Sequence, residues 1–475
     1  MPARGLRAGL CGLGLDAYWP QFPELREQLE GYLNQVRTRL EGMGADVESF
    51  GLVDSPERSR EAGHACRRAD IDLLFLYVTT YALSSTVLPL VQLAKVPVVV
   101  LNLQPGAAID YEAFNRLPNR TAMTGAWLAW CSPCPVPEIA NVMRRARIPF
   151  HQVTGALNDE RTWKEIEEWV AAATVRSALA QNRLGLMGHY YGGMLDVATD
   201  ITQVSITFGS HIETLEVDEL SALRSECKDE EIARRVQLFE EHFAIQPDCS
   251  GAEMERAART SVALDRLVKK HDLHSLAYYY KGSGVAANED TMSSIILGTS
   301  LLTGRHVPVA GEYEVKNAIA MKIMDCFGAG GSFTEYYALD LNDDIVLMGH
   351  DGPGHIAIAE GKTRVRPLDV YHGKVGSGLS VEMSVRYGPV TLLSVVDDRE
   401  HGFRLLVAEG SSEPGPTLAI GNTNSRYRFS IGAVGFVERW NEQGPAHHCA
   451  VGVGHIAERI AKLARLLEIP VVQVC

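Results

Sequence analysis

The sequence predicts an α/β protein: two doubly wound domains followed by an antiparallel β-barrel domain. Three observations carry that expectation. Short apolar runs alternate with amphipathic segments through the first two thirds of the chain, as βαβ crossovers require. The run 71–78 is almost continuously apolar, as a parallel strand buried on both faces must be. After Gly328 the texture changes to short alternating strands punctuated by Gly and Pro, the pattern of an antiparallel sheet or small barrel.

In order, 7–13 reads as a strand and 24–43 as a helix, with Leu25, Leu29, Leu33, Val36 and Leu40 at helical spacing. A strand at 46–50, a helix with Ala62, Cys66 and Ala69 on one side, and the strand at 71–78 follow. The helix–strand pairs 88–95/96–103 and 137–145/150–153 complete a first domain, 1–157. A polar helix at 159–181 leads to a fresh strand, 183–188, inside a second domain, 158–328. Helices are expected there at 230–243, 253–270, 291–303 and 315–327, with a strand at 273–280. Ala318, Met321, Ile323 and Met324 are the expected core positions of the last helix. The third domain, 329–475, should hold strands at 333–340, 344–348, 379–387, 390–396, 404–409 and 428–432, then a helix at 456–467 and a strand at 471–474.

Composition sets the outer limits. A chain of 475 residues suggests about three domains. With 46% hydrophobic and 22% charged residues it is globular rather than disordered. Its 45 Lys and Arg against 59 Asp and Glu give a net charge of −14, which repels phosphate backbones and argues against a nucleic-acid partner. The nine cysteines are scattered and odd in number, as for reduced thiols in a cytosolic protein. The first residues lack the apolar core of a signal peptide, and runs such as 73–78 and 96–103 are too short to span a bilayer. The expectation is a soluble, cytoplasmic protein without a membrane partner.

Two local motifs are weak. Gly12-Leu-Gly14-Leu-Asp-Ala17 fits a dinucleotide fingerprint formally, but Pro20 and Pro23 delay the helix that should receive the phosphates, so a tight glycine turn is preferred. Cys131-Ser-Pro-Cys134 has redox spacing, yet prolines flank its second cysteine and no second pair completes a zinc site. It reads as a structural turn. The stretch 311–355 is richer: Glu312, Glu335, His350 and His355 fall at Gly-rich breaks and strand ends, and His447-His448 follows later. Such mixed oxygen and nitrogen donors suit Mn²⁺, with Co²⁺ or Mg²⁺ tolerated. Spacing alone leaves a metal site as one reading beside solvated acids and hydrogen-bonded histidines.

Taken together, Ala310-Gly-Glu312 with Lys316, Met321-Lys-Ile-Met324, Gly330-Gly-Ser-Phe-Thr-Glu335, Leu347-Met-Gly-His350 and Ala446-His-His448 resemble the L-arabinose isomerase pattern in order and spacing. Gly349-His-Asp-Gly-Pro-Gly-His355 is similar to the broader group of L-fucose isomerase-related proteins. The resemblance extends over nearly the whole chain, including Phe208-Gly-Ser210 and Asp218-Glu-Leu220. It implies two Rossmann-like α/β domains and a β-barrel domain. It also implies a Mn²⁺ ion bound by Glu312, Glu335, His350 and His448, and aldose–ketose interconversion of a pentose or hexose through an enediol. Glu312 and Glu335 would be the acid/base pair. A homo-oligomer, a hexamer, with the cleft completed by a neighbouring subunit, is implied as well.

The chain departs from the family in Asp16-Ala-Tyr-Trp19-Pro-Gln21, where a Gln-containing substrate loop is usual, and at Asp351, where Met is common. These departures leave the sugar open. Tyr18, Trp19, His189, Tyr190, Asp351 and His447, with the tyrosines of 278–280, are expected to contact it; core or interface packing is the competing role for the aromatics. The alternatives are an isomerase or epimerase of another sugar or sugar acid on the same metal site, a non-catalytic carbohydrate-binding protein and, more remotely, a nicotinamide oxidoreductase.

Overall fold

The computed structural model describes residues 5–371, 374–375 and 377–475. They form two compact units, Met1–Ser177 and Ala178–Cys475. In the first, strands Arg7–Leu13, Asp46–Val53, Leu73–Val78, Val98–Gln104 and Phe150–Ala156 make one parallel sheet in the spatial order 2-1-3-4-5. Every residue of Leu73–Val78 is buried, which is why that run carries no polar alternation. Helices Pro56–Arg68, Ser84–Ala94 and Val136–Arg145 share one apolar cluster with the sheet. Helix Pro23–Gly42 buries Leu25, Leu29, Leu33, Val36 and Leu40, and joins Arg120–Leu128 in a separate cluster. The sheet is thus doubly wound, as the alternation of segments predicts.

The glycine turn after the first strand is a packed turn. A Cβ on Gly12 would lie 2.7 Å from Leu52 Cδ2, and the turn runs into the short 3-10 segment Asp16–Tyr18 rather than a helix. Cys134 N donates to Cys131 O (3.2 Å), closing a turn with Cys131 buried and Cys134 exposed. All nine cysteines are free thiols.

The second unit starts from a parallel sheet ordered Val309–Ala310, Ser275–Tyr279, Arg183–Gly188 and His211–Leu215. Helix Val315–Cys326 follows. Its residues 315–325 are all buried, and it packs against barrel strands Gly330–Asp340, Gly388–Asp398 and His448–Val453. The barrel closes through six antiparallel strands in the order Gly388–Asp398, His448–Val453, Gly330–Asp340, Ile345–His350, Thr423–Phe429 and Gly402–Glu413, the last pairing back to the first. Helix Ala457–Leu466 and strand Val471–Gln473, parallel to Gly402–Glu413, follow at the end of the chain.

Several elements differ from expectation. The helix expected at 291–303 is two helices, Ala286–Met292 and Ile296–Thr303. At the break, the Ser293 and Ser294 hydroxyls donate to the carbonyls of Glu289 and Asp290. The strand expected at 379–387 ends at Glu382 and pairs outside the barrel with Arg364–Pro367. Strand His448–Val453 and helices Ile201–Phe208, Val217–Ser225 and Gly432–Glu442 go unread in the sequence. Among the described residues no helix is long and apolar enough to cross a membrane.

Candidate metal centre

The site is assembled by register. Glu335 lies opposite both His448 and Gly349 on its two neighbouring barrel strands, so His448 and the strand end carrying His350 flank it. Residues directly opposite in an antiparallel pair project from the same face. Phe333, two residues before Glu335 and therefore on its face, is fully buried. Its ring lies 4.5 Å from that of His350 and 4.3 Å from that of His448, centroid to centroid. The fourth group comes from the turn between Val309–Ala310 and Val315–Cys326, where Glu312 and Tyr313 both adopt left-handed backbone, with φ of 56° and 60°. Tyr313 N donates to Tyr278 O and Glu314 N to Gly311 O (3.0 Å each), holding the turn.

Glu312 is the hub. Its carboxylate oxygens lie 3.8 Å from His350 Nε2, 3.6 Å from His447 Nε2 and 3.6 Å from His448 Nε2. Glu335 Oε2 is 4.0 Å from His447 Nε2. Burial opposes ionisation of Glu312, but the nearby imidazoles of His350, His447 and His448 prevail and hold its carboxyl well below the usual carboxylate range. His448 is pushed the other way: burial first, then the neighbouring His350 and His447, keep it neutral. His447 sits in a burial that disfavours charge, yet Glu312 and Asp196 raise it to about 9. Burial pushes the Glu314 carboxyl up, against the pull of Lys316 and His447.

Ionised carboxylate and neutral imidazole are the forms in which these groups bind metals. Glu312 Oε2, His448 Nε2 and both ring nitrogens of His350 are buried without a hydrogen-bond partner. Orphaned buried polar atoms that converge call for a ligand to satisfy them. Donors about 2.1 Å from one octahedral ion stand about 3.0 Å apart when cis and about 4.2 Å when trans. The separations of 3.6 and 3.8 Å around Glu312 lie within about 1 Å of the cis distance. The residues present therefore fit a divalent cation. Ligand atoms of Glu312, His447 and His448 also lie within 4.8 Å of one another.

A cavity of about 530 Å³ reaches Glu312 and His350 and is lined by Tyr278, Tyr279, Tyr280 and Asp351 among others. His189 packs on Tyr279 (5.3 Å between centroids) and Tyr190 on Tyr313 (4.9 Å), so these two abut residues of the cavity and the turn. Gly188 makes this possible: at φ +94° a Cβ would lie 1.9 Å from Tyr279 O, where only glycine fits. Tyr18 and Trp19 belong to the first unit, where Trp19 Nε1 donates to Asp54 Oδ2 (2.7 Å) and Tyr18 packs edge-on against Phe22.

Two residues escape sequence reading. Asp196, in the loop after Arg183–Gly188, accepts from His447 Nδ1 (2.6 Å), and Glu314 lies 2.5 Å from His448 Nδ1. Nothing in the stretch Gly193-Met-Leu-Asp-Val197 marks Asp196. Glu314 is legible only as an acid two positions beyond Glu312.

Known proteins resemble this chain in sequence. Residues 330–470 match the family model of the L-arabinose isomerase C-terminal domain. The chain is 23% identical over 482 residues to an L-arabinose isomerase of Erwinia tasmaniensis, covering 94% of this chain and 90% of that protein. It is 23% identical over 346 residues to one from Nocardioides sp., covering 69% and 67%. A sulfoquinovose isomerase of Priestia aryabhattai is 20% identical over 337 residues, covering 70% and 73%. With the barrel and its carboxylate–imidazole cluster, these matches place the chain among relatives of the sugar isomerases. Residues 330–470 thus correspond to the C-terminal domain of the L-arabinose isomerase family, and the chain as a whole is similar to those isomerases.

Proposed function

We propose that the protein is a divalent-metal-dependent aldose–ketose isomerase acting on a neutral pentose or hexose through an enediol. The convergence of Glu312 with His350 and His448, beside a cavity lined by tyrosines, carries this reading. Glu312, Glu335, His350 and His448 are the residues that would hold Mn²⁺, or Co²⁺ or Mg²⁺ in its place. When bound, such an ion polarises a sugar carbonyl and offsets negative charge on the neighbouring oxygens.

The chain's own groups do the rest. In the aldose-to-ketose direction a proton leaves C2 and one is returned to C1, while the proton of the C2 hydroxyl passes to the C1 oxygen. Glu312 and Glu335 are the carboxylates available to take and return the carbon-bound proton. His447, more exposed than His448, faces the sugar hydroxyls together with Asp351 and the cavity tyrosines. Of the two cations on the cavity wall, Arg256 and Lys281, Arg256 is already paired with Glu253 (2.9 Å) and Asp290 (3.0 Å), and Glu289 lines the same wall, which tilts the site toward a neutral sugar. An anionic sugar would lack an uncommitted partner in Arg256. A cytoplasmic hexamer belongs to the same proposal, and sedimentation checks the assembly.

The test is to strip the protein of metal, return Mn²⁺ and offer a panel of aldoses that includes L-arabinose, L-fucose and sulfoquinovose. A neutral aldose should be converted only with metal present. Glu335→Gln should lower kcat by about 10²–10⁴-fold with the circular dichroism spectrum unchanged. Stoichiometric Mn²⁺ with no turnover of any sugar would leave a binding protein in place of the enzyme.

A further inference from the structure

His447 and His448 are consecutive, and in an extended chain consecutive side chains leave opposite faces. Here their ring centroids lie 3.8 Å apart, and both Nε2 atoms stand 3.6 Å from Glu312 Oε2. Each ring is held from its far side by a different carboxylate. Glu314 Oε2 lies 2.5 Å from His448 Nδ1. Asp196 Oδ2 accepts both the backbone N–H of His447 (3.0 Å) and its Nδ1 (2.6 Å). Neither carboxylate is explained by local structure. Glu314 occupies the N-cap position of Val315–Cys326, yet its side chain makes no capping bond and is buried against the imidazole instead. Asp196 is itself anchored, because its carbonyl accepts from the buried Lys316 Nζ (2.8 Å), which also pairs with Asp397 (2.5 Å).

We propose that Glu314 and Asp196 are positioning residues with separate charges: Glu314 aims the His448 Nε2 at the metal, and Asp196 aims the His447 Nε2 at the sugar. The proposal rests on the metal-site reading above. A carboxylate accepting from Nδ1–H leaves the Nε2 lone pair outward and makes the imidazole a better donor, the arrangement by which outer carboxylates tune metal-bound histidines. Asp196, from a loop, accepts from His447 Nδ1 and so fixes the direction in which Nε2 points, coupling the segment 189–200 to His447.

The test separates the two roles from each other and from the underlying reading. Mn²⁺ affinity is measured by calorimetry on the metal-free chain, alongside steady-state kinetics and thermal unfolding without metal. Glu314→Gln keeps the shape of the side chain but not its carboxyl group. It should weaken Mn²⁺ binding by about 10–100-fold while the metal-free melting temperature stays within a few degrees of wild type. Asp196→Asn should leave Mn²⁺ affinity within about twofold but raise KM about tenfold, the worth of one hydrogen bond to a charged group. Wild-type Mn²⁺ affinity in Glu314→Gln, or unchanged KM in Asp196→Asn, overturns the assignment of that residue. If Glu314→Gln does not fold, Glu314→Asp, which shortens the arm but keeps the charge, must weaken Mn²⁺ binding less than Glu314→Leu. Failure of the wild-type chain to bind Mn²⁺ would overturn the metal reading itself.

Discussion

At the scale of single residues, the second unit sets aside stability to place charge. Consecutive left-handed residues at Glu312 and Tyr313 store about 1–3 kcal/mol each. They persist because the surrounding sheet fixes both ends of the turn. His355 is a second instance. It is 3% exposed, and neither ring nitrogen has a hydrogen-bond partner. Burial, partly offset by Asp325, lowers it to about 4. An imidazole that titrates near 6.5 in the unfolded chain therefore binds fewer protons in the native state between those values. Its contribution is fully present above about pH 6.5 and is lost as the pH falls through about 4. The difference corresponds to about 3 kcal/mol. Denaturant unfolding should show wild type losing about 3 kcal/mol relative to His355→Leu as the pH falls across that window. Parallel curves would mean that His355 titrates normally.

At the scale of elements, the site is a product of strand register, and register can be broken one glycine at a time. A Cβ on Gly349 would lie 1.8 Å from Thr423 O. The same Thr423 holds His350 through bonds to its N–H (2.8 Å) and carbonyl (3.1 Å). Gly349→Ala must force Ile345–His350 away from Thr423–Phe429, lowering stability by about 3 kcal/mol or more and displacing His350. Gly435→Ala is the matched control, since its new methyl meets nothing closer than 3.7 Å inside helix Gly432–Glu442. It should be neutral or stabilising by up to about 1 kcal/mol. Equal melting temperatures for the two variants would refute the argument.

The same elements show what the sequence could reveal. Helix Pro23–Gly42 was legible because burial imposes a 3.6-residue period, and Leu73–Val78 because burial on both faces abolishes polarity. Helix Gly432–Glu442 also buries a periodic set, Ala433, Phe436 and Trp440, but two glycines mask it. Strand His448–Val453 opens on the polar residues of the site and so reads as a loop. Of the site, residue types were legible and the family pattern named four positions. Glu314, 134 positions from His448, and Asp196, 251 from His447, meet their histidines only through tertiary structure, which no local pattern encodes.

At the scale of the whole molecule, function is unevenly distributed. Glu312, Glu335, His350, His447, His448, Glu314 and Asp196 all lie within Ala178–Cys475, and Met1–Ser177 supplies none of them. A ligand that binds only the folded state stabilises the part that holds its site by RT ln(1 + [L]/Kd), about 2.7 kcal/mol at a hundredfold excess over Kd. Scanning calorimetry with and without Mn²⁺ should therefore show the transition of the second unit moving upward, while that of the first stays within about a degree. Adding EDTA should reverse the shift. Two controls fix the origin of the effect. Glu312→Gln should abolish it, because the hub of the cluster loses its charge. Mutation of Trp19, whose indole bonds Asp54 within the first unit, should leave it intact. A thermogram in which Mn²⁺ raises only the first unit's transition, or one in which Glu312→Gln shifts as far as wild type, would place the ion somewhere other than among these carboxylates and imidazoles.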